Sequence, residues 1–270
     1  TDNATDVRNA ILSKINTSEI IREKVLKINA LKNEYKIKTE NASYLFKYVI
    51  IAAGGLNKFH NQTFGLEHKL ISGKPALVGL NANFQNLMGV VLKNVSSKDC
   101  NIIGDLLFTH YGISGPLTYQ ISSIYAHNNF PYDLTFDFYP KQIDLQSMLN
   151  TNPHKELKNI LSVIFPHRFA EFISNKYANT KGHSIDGKTR DIILDRIHNY
   201  KITITGTNKG EETVTAGGFC LDEINSKTME SKFYNNLYII GEILDIDGFC
   251  GGFNLQNAWS TAYVAASAIE

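Results

Sequence analysis

Apolar residues recur at helical spacing in three stretches of the chain. Near the start, Val7, Ile11 and Ile15 are four residues apart, which predicts a helix. A helical block is predicted from about residue 143 to residue 200, punctuated by Pro153 and Pro166, and a closing helix begins at about residue 255. The apolar positions behind these two predictions are Leu145, Met148, Leu149, Leu157, Ile160, Leu161, Ile164 and Phe165 in the block, and Leu255, Ala258, Trp259, Ala262, Ala265, Ala266 and Ile269 in the closing helix.

Other stretches have the pattern of β-strands. Residues 34–39 alternate between polar and apolar positions, which predicts a half-exposed strand. Residues 48–55 form an uninterrupted apolar run that stops at two glycines, and residues 237–242 form a second one. Such runs are typical of strands buried on both faces in a parallel sheet covered by helices. Shorter β-like runs lie at residues 76–80, 89–95 and 132–139.

The order of these elements predicts an α/β fold in two parts. Residues 1–71 and 208–270 carry the buried strands and the closing helix, whereas residues 72–207 combine short strands with the helical block. We therefore predict one α/β domain formed by residues 1–71 and 208–270, interrupted by an inserted β-plus-helical domain at residues 72–207.

Composition and charge limit the classes of partner. The 270 residues are 43% hydrophobic and 20% charged, as in an ordinary soluble globular protein. Lys plus Arg number 27 against 26 Asp plus Glu, and no basic run stands out along the sequence. We therefore expect a small-molecule substrate, no nucleic-acid partner and no membrane partner, and the oligomeric state stays open.

Cysteine and histidine usage argues against disulfides and metal. The three cysteines, Cys100, Cys220 and Cys250, are odd in number and widely spaced, and the eight histidines are scattered. We predict no metal site and a reducing, cytoplasmic location. No apolar run approaches the ~18 residues that a membrane span needs, and the start does not resemble a signal peptide.

Residues 241–256 are the most informative segment. They join a predicted buried strand to the closing helix, and four of these sixteen residues are glycine. At such a junction a ligand can approach the backbone, and the free N–H groups of the first helical turn bind electron-rich groups. In a flavin enzyme that group would be the N1/C2 carbonyl edge of the isoalloxazine ring, where reduced flavin carries negative charge.

Three carboxylates in the same segment could bind another part of a flavin cofactor, the ribityl chain. Glu242, Asp245 and Asp247 are suited to accept hydrogen bonds from ribityl hydroxyls. The structural alternative has equal weight on local chemistry: Gly251 and Gly252 form an ordinary turn, Asn254 caps the helix and the acids are solvated.

Two further strand ends fit a cofactor site, each with a structural alternative. Ala53, Gly54 and Gly55 are small enough to let a dinucleotide pass, although glycines after a strand often serve only a turn. Residues 213–219 change from β-branched residues to a glycine pair, which fits a strand end packed flat on a ring. A simple β-bulge is slightly favoured there.

Taken together, these segments resemble the HI0933-like family of flavoproteins. Its members are NAD(P)/FAD-dependent oxidoreductases and include aminoacetone oxidase-like and bile-acid reductase-like proteins. The resemblance spans nearly the whole chain in family order. Its segments are Tyr48 to Gly55, Lys74 to Val78, Gly104 to Pro116, Thr215 to Gly218, Lys227 to Lys232 and Gly241 to Trp259.

The resemblance implies a fold, a cofactor and a set of site residues. It implies an FAD/NAD(P)-binding Rossmann-like domain with an inserted β-plus-helical domain, and FAD as cofactor with NAD(P) as a further candidate. Gly241, Glu242, Asp245, Gly251, Gly252, Asn254 and Leu255 would line the ribityl and isoalloxazine portions of FAD, and Thr215, Gly217 and Gly218 would lie beside the ring.

Two departures from the family pattern concern the cofactor. The sequence has no Gly-x-Gly-x-x-Gly fingerprint for the FAD pyrophosphate, and its numbering opens at Thr1 without an initiator Met. The expectation is therefore a C-terminal two-thirds whose ADP site is missing and which is inactive alone. Residues 56–65 also depart from the Ser-Tyr-Pro and Thr-Gly-rich loop of the family, which puts cofactor contact by this loop in doubt.

Three functional hypotheses follow. The leading one is an FAD-dependent oxidoreductase that transfers hydride through flavin. The second is a non-catalytic fragment or interaction module that no longer binds FAD. The third, a flavin-dependent RNA-modifying enzyme, is disfavoured by the net charge of +1. No catalytic acid or base is assigned, because His110, Tyr111 and Cys250 are each more often structural than catalytic in such settings.

Overall fold

A computed structural model describes residues 3–15, 20–55, 62–84, 86–208, 210 and 214–269. The helices are α1 Ala4–Leu12, α2 Pro116–Ile124, α3 Leu145–Thr151, α4 Leu157–Leu161, α5 His167–Ser174, α6 Gly187–His198 and α7 Phe253–Ala268. The strands are β1 Val25–Ala30, β2 Tyr35–Thr39, β3 Ser43–Phe46, β4 Val49–Ile51, β5 Leu70–Ala76, β6 Leu80–Asn81, β7 Val91–Ser97, β8 Ile102–Phe108, β9 Gly112–Ser114, β10 Tyr132–Asp137, β11 Tyr200–Ile204, β12 Gly206–Thr207, β13 Val214–Phe219 and β14 Leu237–Ile239.

These elements fall into two compact units. The first unit comprises Thr1–Val49 with Phe64–Leu66, and the second comprises Ile50–Thr63 with Glu67–Glu270. The inserted domain predicted at residues 72–207 lies within the second unit, and its boundaries stay a prediction.

The first unit contains α1 and an antiparallel sheet in the order β1-β2-β3. The sheet confirms the half-exposed strand predicted at residues 34–39, because Tyr35 and Thr39 are buried while Lys36 and Lys38 are exposed. Helix α1 confirms the first predicted helix and ends at Leu12, three residues before Ile15.

A seven-stranded sheet dominates the second unit. Its order is β11-β10-β7-β8-β9-β6-β12, and its pairs are antiparallel. The run predicted at residues 76–80 is interrupted, because Leu77 has a φ of 49° and separates β5 from β6. Since a left-handed residue cannot continue a ladder, the apolar pattern alone could not place this break.

Helices α3 to α6 confirm the predicted helical block. Its apolar positions form one core with the sheet, in which Leu157, Ile160 and Leu161 have almost no solvent exposure. The chain leaves the helical conformation near the two prolines: α3 ends before Pro153, and Pro166 immediately precedes α5. The 3.6-residue period therefore identified the face that packs on the sheet.

Two short sheets carry the segments of the candidate site. Strand β13 pairs with β5, and β14 pairs with β4. The prediction that residues 48–55 are buried on both faces is wrong: Ile50 is 45% exposed between buried neighbours. An apolar side chain on the outer face of a short strand has the same sequence pattern as a buried one, so the sequence could not separate them.

Helix α7 is the predicted closing helix, but its apolar stripe is not a buried face. Thr261 and Ala265 are the buried residues of this helix, whereas Trp259 is 58% exposed and Leu255 is 70% exposed. Alanine counts as apolar in a sequence pattern but is often exposed, so the pattern predicted more buried residues in α7 than the structure has.

Candidate functional site

Two glycines with positive φ angles precede α7. Gly251 has a φ of 135°, and Gly252, the N-cap residue, has a φ of 84°. No side chain caps the helix at Gly252, and a Cβ there would meet no described atom within 4 Å. The first-turn amides of this 16-residue helix therefore lack a side-chain cap, and their contact with an electron-rich ligand group stays a prediction.

Asn254 closes the loop in front of this helix. Its Oδ1 accepts a hydrogen bond of 2.7 Å from the Gly248 N–H, and its Nδ2 donates one of 2.8 Å to the Gly248 carbonyl. The alternative in which Asn254 caps the helix is wrong, because the N-cap is Gly252 and Asn254 lies inside the first turn. The Asn254 side chain fixes the loop, and the backbone N–H of Asn254 remains one of the donors in the first turn of α7.

Gly55, Thr215 and Glu242 meet at the end of the strands. Oε1 of Glu242 accepts a 3.0 Å hydrogen bond from the N–H of Thr215. A Cβ at Gly55 would lie 2.5 Å from the Thr215 Oγ1 and would also collide with the Glu242 carboxylate. One carboxylate oxygen of Glu242 is thus used within the protein, and its contact with ribityl hydroxyls stays a prediction.

Gly217 and Gly218 occupy the β-bulge that the sequence favoured there. The register of β13 against β5 shifts between Ala216 and Gly218. A Cβ at Gly217 would lie 2.7 Å from the Ser72 carbonyl oxygen, and one at Gly218 would collide with the backbone of residues 243–244. The glycines are required by packing of the protein on itself, and a flavin ring beside them stays a prediction.

Gly241 opens the segment between β14 and α7, two residues after the end of β14. Its N–H donates a 3.0 Å hydrogen bond to Oγ1 of Thr261, which also donates to the Asn257 carbonyl at 2.7 Å. Gly241 has a φ of 75°, so it turns the chain at this point. Thr261 was not predicted, because a threonine in the middle of a helix carries no sequence signal for such a contact.

The acidic residues after Gly241 occupy different environments. The Asp245 N–H donates to the Phe219 carbonyl at 3.0 Å and so ties the loop to β13. Burial raises the pKa of the Asp247 carboxyl; the nearby Asp245 charge adds to this, while Ser123 and His127 act in the opposite direction. Asp247 is therefore not the freely solvated acid of the structural alternative.

The remaining predicted cofactor residues lie at the surface or half-buried. Ala53 and Gly54 follow β4 and are half-buried, and Gly54 has a φ of 73°. Leu255 lies on the exposed side of α7. The site residues are thus placed by three strand ends and one helix start, and their contacts with FAD stay predictions.

A buried histidine cluster was missed by the sequence analysis. His68 Nδ1 lies 2.9 Å from Oε2 of Glu223, and its Nε2 lies 2.9 Å from Oγ of Ser231. Oε2 of Glu223 also accepts from the Lys69 N–H at 2.8 Å. These contacts join residues more than 150 positions apart, which no local pattern reveals.

This Ser-His-Glu order does not form a nucleophilic site. Oγ of Ser231 already accepts two hydrogen bonds of 3.0 Å from the N–H groups of Phe233 and Tyr234. Ser231 and His68 are both buried, so no substrate reaches the hydroxyl. The rings packed around His68 are those of Phe219, Phe233 and Tyr234.

The three residues weighed as catalytic candidates gain no assigned role. The rings of His110 and Tyr111 are 5.0 Å apart, and the Tyr111 hydroxyl lies against Gly79. Cys250 is exposed beside Gly251. Among the residues that the structure describes, no cluster of three His, Cys, Asp or Glu side chains is arranged for a metal ion. No helix in this part of the chain has the length and hydropathy to cross a membrane.

A groove of about 690 Å³ lies in the region of the predicted inserted domain. None of the predicted flavin residues lines it. Its lining residues are Asn83, Asn86, Leu87, Arg168, Glu171, Phe172 and Asn175.

The described elements form a mixed α/β protein with a sheet-rich region. The family model described as HI0933-like protein Rossmann domain matches residues 1–268. The chain belongs to this family of flavoprotein oxidoreductases, which confirms the resemblance seen in its sequence.

Named relatives differ in the substrates that their names imply. The chain is 32% identical over 192 residues to a ribosomal RNA dihydrouridine synthase of Escherichia coli, an alignment that covers 67% of the chain and 47% of that protein. It is 30% identical to the protein of the same name from Haemophilus influenzae, over 93% of the chain and 68% of that protein. It is 28% identical to a 3-dehydro-bile acid delta(4,6)-reductase of Clostridium scindens, over 92% and 68%. The chain thus spans about half to two-thirds of the length of these relatives.

A solved structure, the bacillithiol disulfide reductase of Staphylococcus aureus, aligns with 98% of this chain and 71% of its own. The TM-score is 0.33 and the identity is 13%.

Proposed function

We propose that the protein is an FAD-dependent oxidoreductase in which the amide end of α7 faces the electron-rich edge of the isoalloxazine ring. The observation that carries this proposal is the uncapped start of α7 behind Gly251 and Gly252, with open space where a Cβ of Gly252 would be. Oriented amides at a helix start stabilise developing negative charge without needing to reorganise.

The residues present fit such a group. First-turn backbone N–H groups would hold the ring edge, and the Asn254 side chain keeps the loop ahead of them closed through Gly248. Glu242 and Thr215, which pack closely around Gly55, would border the ribityl chain from this junction. When bound, FAD supplies hydride transfer between a reduced nicotinamide and an electron-poor carbon.

The reaction class is reduction of a carbon–carbon double bond conjugated to a carbonyl. The names of the relatives support this from two directions, because dihydrouridine is uridine with its ring double bond reduced and a delta(4,6)-reductase acts on a ketone-conjugated double bond. Overall, hydride reaches one carbon and a proton the other, while a reduced nicotinamide is oxidised. No side chain is assigned as the proton donor.

The uracil ring of RNA is the substrate that the comparisons favour. Two relatives named for ribosomal RNA share 32% and 30% identity with the chain, against 28% for the bile-acid reductase. The low net charge of the whole chain was the reason to expect a small-molecule substrate without a nucleic-acid partner. Because of that expectation, a small conjugated ketone is the second candidate substrate.

The rival proposal is a chain that no longer binds FAD. Its support is that close packing of the protein on itself already accounts for the glycines at Gly55, Gly217 and Gly218. Under this proposal the 270 residues serve as an interaction module, and the predicted cofactor residues have only the packing roles described above.

A product assay separates these proposals. Protein made from the 270-residue sequence and from the complete open reading frame is incubated anaerobically with FAD and NADPH, with either unmodified ribosomal RNA transcript or a steroid 4-en-3-one. We expect a gain of two hydrogens per modified uridine, detected by mass spectrometry of digested RNA. A gain in the steroid alone would favour the small-molecule substrate. No product with either substrate from either protein would contradict the enzyme proposal.

A further inference from the structure

The sheet of the first unit has two chemically different faces. Side chains on the inner face include Ile28, Tyr35 and Thr39, all buried. Because side chains alternate along strands and directly paired residues share a face, the outer face follows from the register. It carries Lys27 and Asn29 from β1, Lys36 and Lys38 from β2, and Ser43 and Leu45 from β3.

Three lysines cluster on the outer face. Lys27 is the direct partner of Lys38, and Lys36 lies two residues along the same strand as Lys38. All three side chains are exposed. Like charges directly opposite each other in an antiparallel pair destabilise the sheet. The stability of the sheet therefore does not explain why lysine occupies both positions of the Lys27–Lys38 pair.

No acidic group of the described chain forms an ion pair with these lysines. The nearest acid in sequence to Lys27, Glu23, is engaged elsewhere: its Oε2 accepts from the Thr39 hydroxyl, whose side chain belongs to the inner face. Residues 20–49 carry seven Lys or Arg and three Glu, although the whole chain has a formal charge of +1. The positive charge is therefore local, and the folding of three strands concentrates it.

Protection of a sheet edge does not account for the cluster. Lysines on edge strands prevent unwanted strand pairing, and Lys27 on β1 is at such an edge. Lys36 and Lys38 lie on β2, the central strand, whose hydrogen bonds are used on both sides. Their positive charge is thus available for a partner that lies across the face.

We propose that the face formed by Lys27, Lys36 and Lys38 binds the phosphate backbone of RNA and so holds the substrate of the reduction. This rests on the proposed function, in which a uracil ring of RNA is reduced. Charge complementarity selects the partner, because three closely spaced ammonium groups that form no ion pair suit a chain of phosphates. Glu34 and Glu40 flank the row of Lys36 and Lys38 without pairing with either lysine. Lysine ammonium groups that contact phosphates make no contact with the base edges. The face would therefore position the RNA without recognising its sequence.

The test is RNA binding by the FAD-loaded protein as a function of salt. The triple variant Lys27→Gln, Lys36→Gln, Lys38→Gln is compared with Lys155→Gln, Lys181→Gln, Lys188→Gln, which removes the same charge from exposed positions in the second unit. The probe is a fluorescently labelled single-stranded ribosomal RNA segment. Since each phosphate contact contributes about 0.7 to the slope of log K against log salt, the sheet variant is expected to lose roughly 2 from the slope and at least about tenfold in affinity.

The controls separate this inference from the proposed function. Lys→Arg at the three sheet positions keeps the charge and is expected to retain RNA binding, and the sheet variant should bind FAD with the same affinity as the unmodified protein. Equal binding by the two glutamine variants, or no binding by the unmodified protein, would overturn the inference. If reduction of RNA persists with equal rates in both variants, the enzyme proposal stands and the binding face is wrong. If the sheet variant alone loses binding but no protein reduces RNA, the face stands and the enzyme proposal fails.

Discussion

Replacing Gly218 with alanine is expected to destabilise the second unit by roughly 3 kcal/mol or more. The residue has a φ of 139°, and its Cβ would collide with the Ile243 carbonyl oxygen and lie 2.7 Å from the Leu244 carbonyl carbon. Backbone atoms of a buried segment cannot move aside as a flexible side chain can, so both conformational strain and overpacking contribute. Thermal denaturation followed by circular dichroism should show a melting temperature lower by on the order of 10 °C.

The matched control is Gly210→Ala. Gly210 has a φ of 85° and no described atom within 4 Å of a built Cβ, so this variant carries the backbone strain without the collision. We expect it to lose about 1 kcal/mol. Equal losses in the two variants would show that the packing of residues 243–244 is not what requires glycine. A Gly218→Ala protein that folds normally but loses FAD would instead support the ring-side role predicted from the sequence.

Replacing His68 with alanine is the second large effect, with an expected loss of about 3 kcal/mol. The substitution removes contacts from both ring nitrogens to Glu223 and Ser231 at 2.9 Å and leaves a cavity among three aromatic rings. His68 is only 6% exposed, so the substitution leaves its polar partners facing a buried cavity. Urea denaturation measures the loss.

Hydrogen exchange localises the effect of the His68 substitution. The Lys69 and Tyr234 amides should exchange faster, because each depends on a partner that His68 holds in place. The control is His167→Ala at an exposed position, expected to stay within about 0.5 kcal/mol of the unmodified protein. Unchanged exchange at both amides would mean that the cluster does not anchor the 221–234 segment.

Periodicity predicted the elements whose burial depends on a single neighbouring surface. The spacing of Leu157, Ile160 and Leu161 identified the helical face on the seven-stranded sheet, because that face is apolar and continuous. Alternation likewise identified β2. The glycines before α7 were predicted as a place of close approach, since positive φ angles leave few alternatives to glycine.

Contacts between distant residues could not be predicted in this way. Glu242 accepts from Thr215, 27 positions away, and the cluster of His68 spans more than 150 positions. The lysine face is another case: along the sequence Lys27 and Lys38 are separated by a turn, and only the antiparallel register makes them partners. The expectation of no nucleic-acid partner considered only charges along the sequence, so it could not include this pairing, and it stays a prediction.

The central claim is that the start of α7 binds FAD, and the most direct test is a measurement of FAD affinity. The unmodified protein, Gly252→Ala and Gly210→Ala are each titrated with FAD, and binding is followed by flavin absorption. Each is made from both the 270-residue sequence and the complete open reading frame. The two glycines have nearly equal φ angles, 84° and 85°, and no described atom lies within 4 Å of a Cβ built on either, so the comparison is matched in backbone strain. The account predicts that Gly252→Ala weakens FAD binding by at least about tenfold, or roughly 1.4 kcal/mol, while Gly210→Ala binds as the unmodified protein does. Equal affinity in all three proteins, or no flavin bound by the unmodified protein in either form, would contradict it.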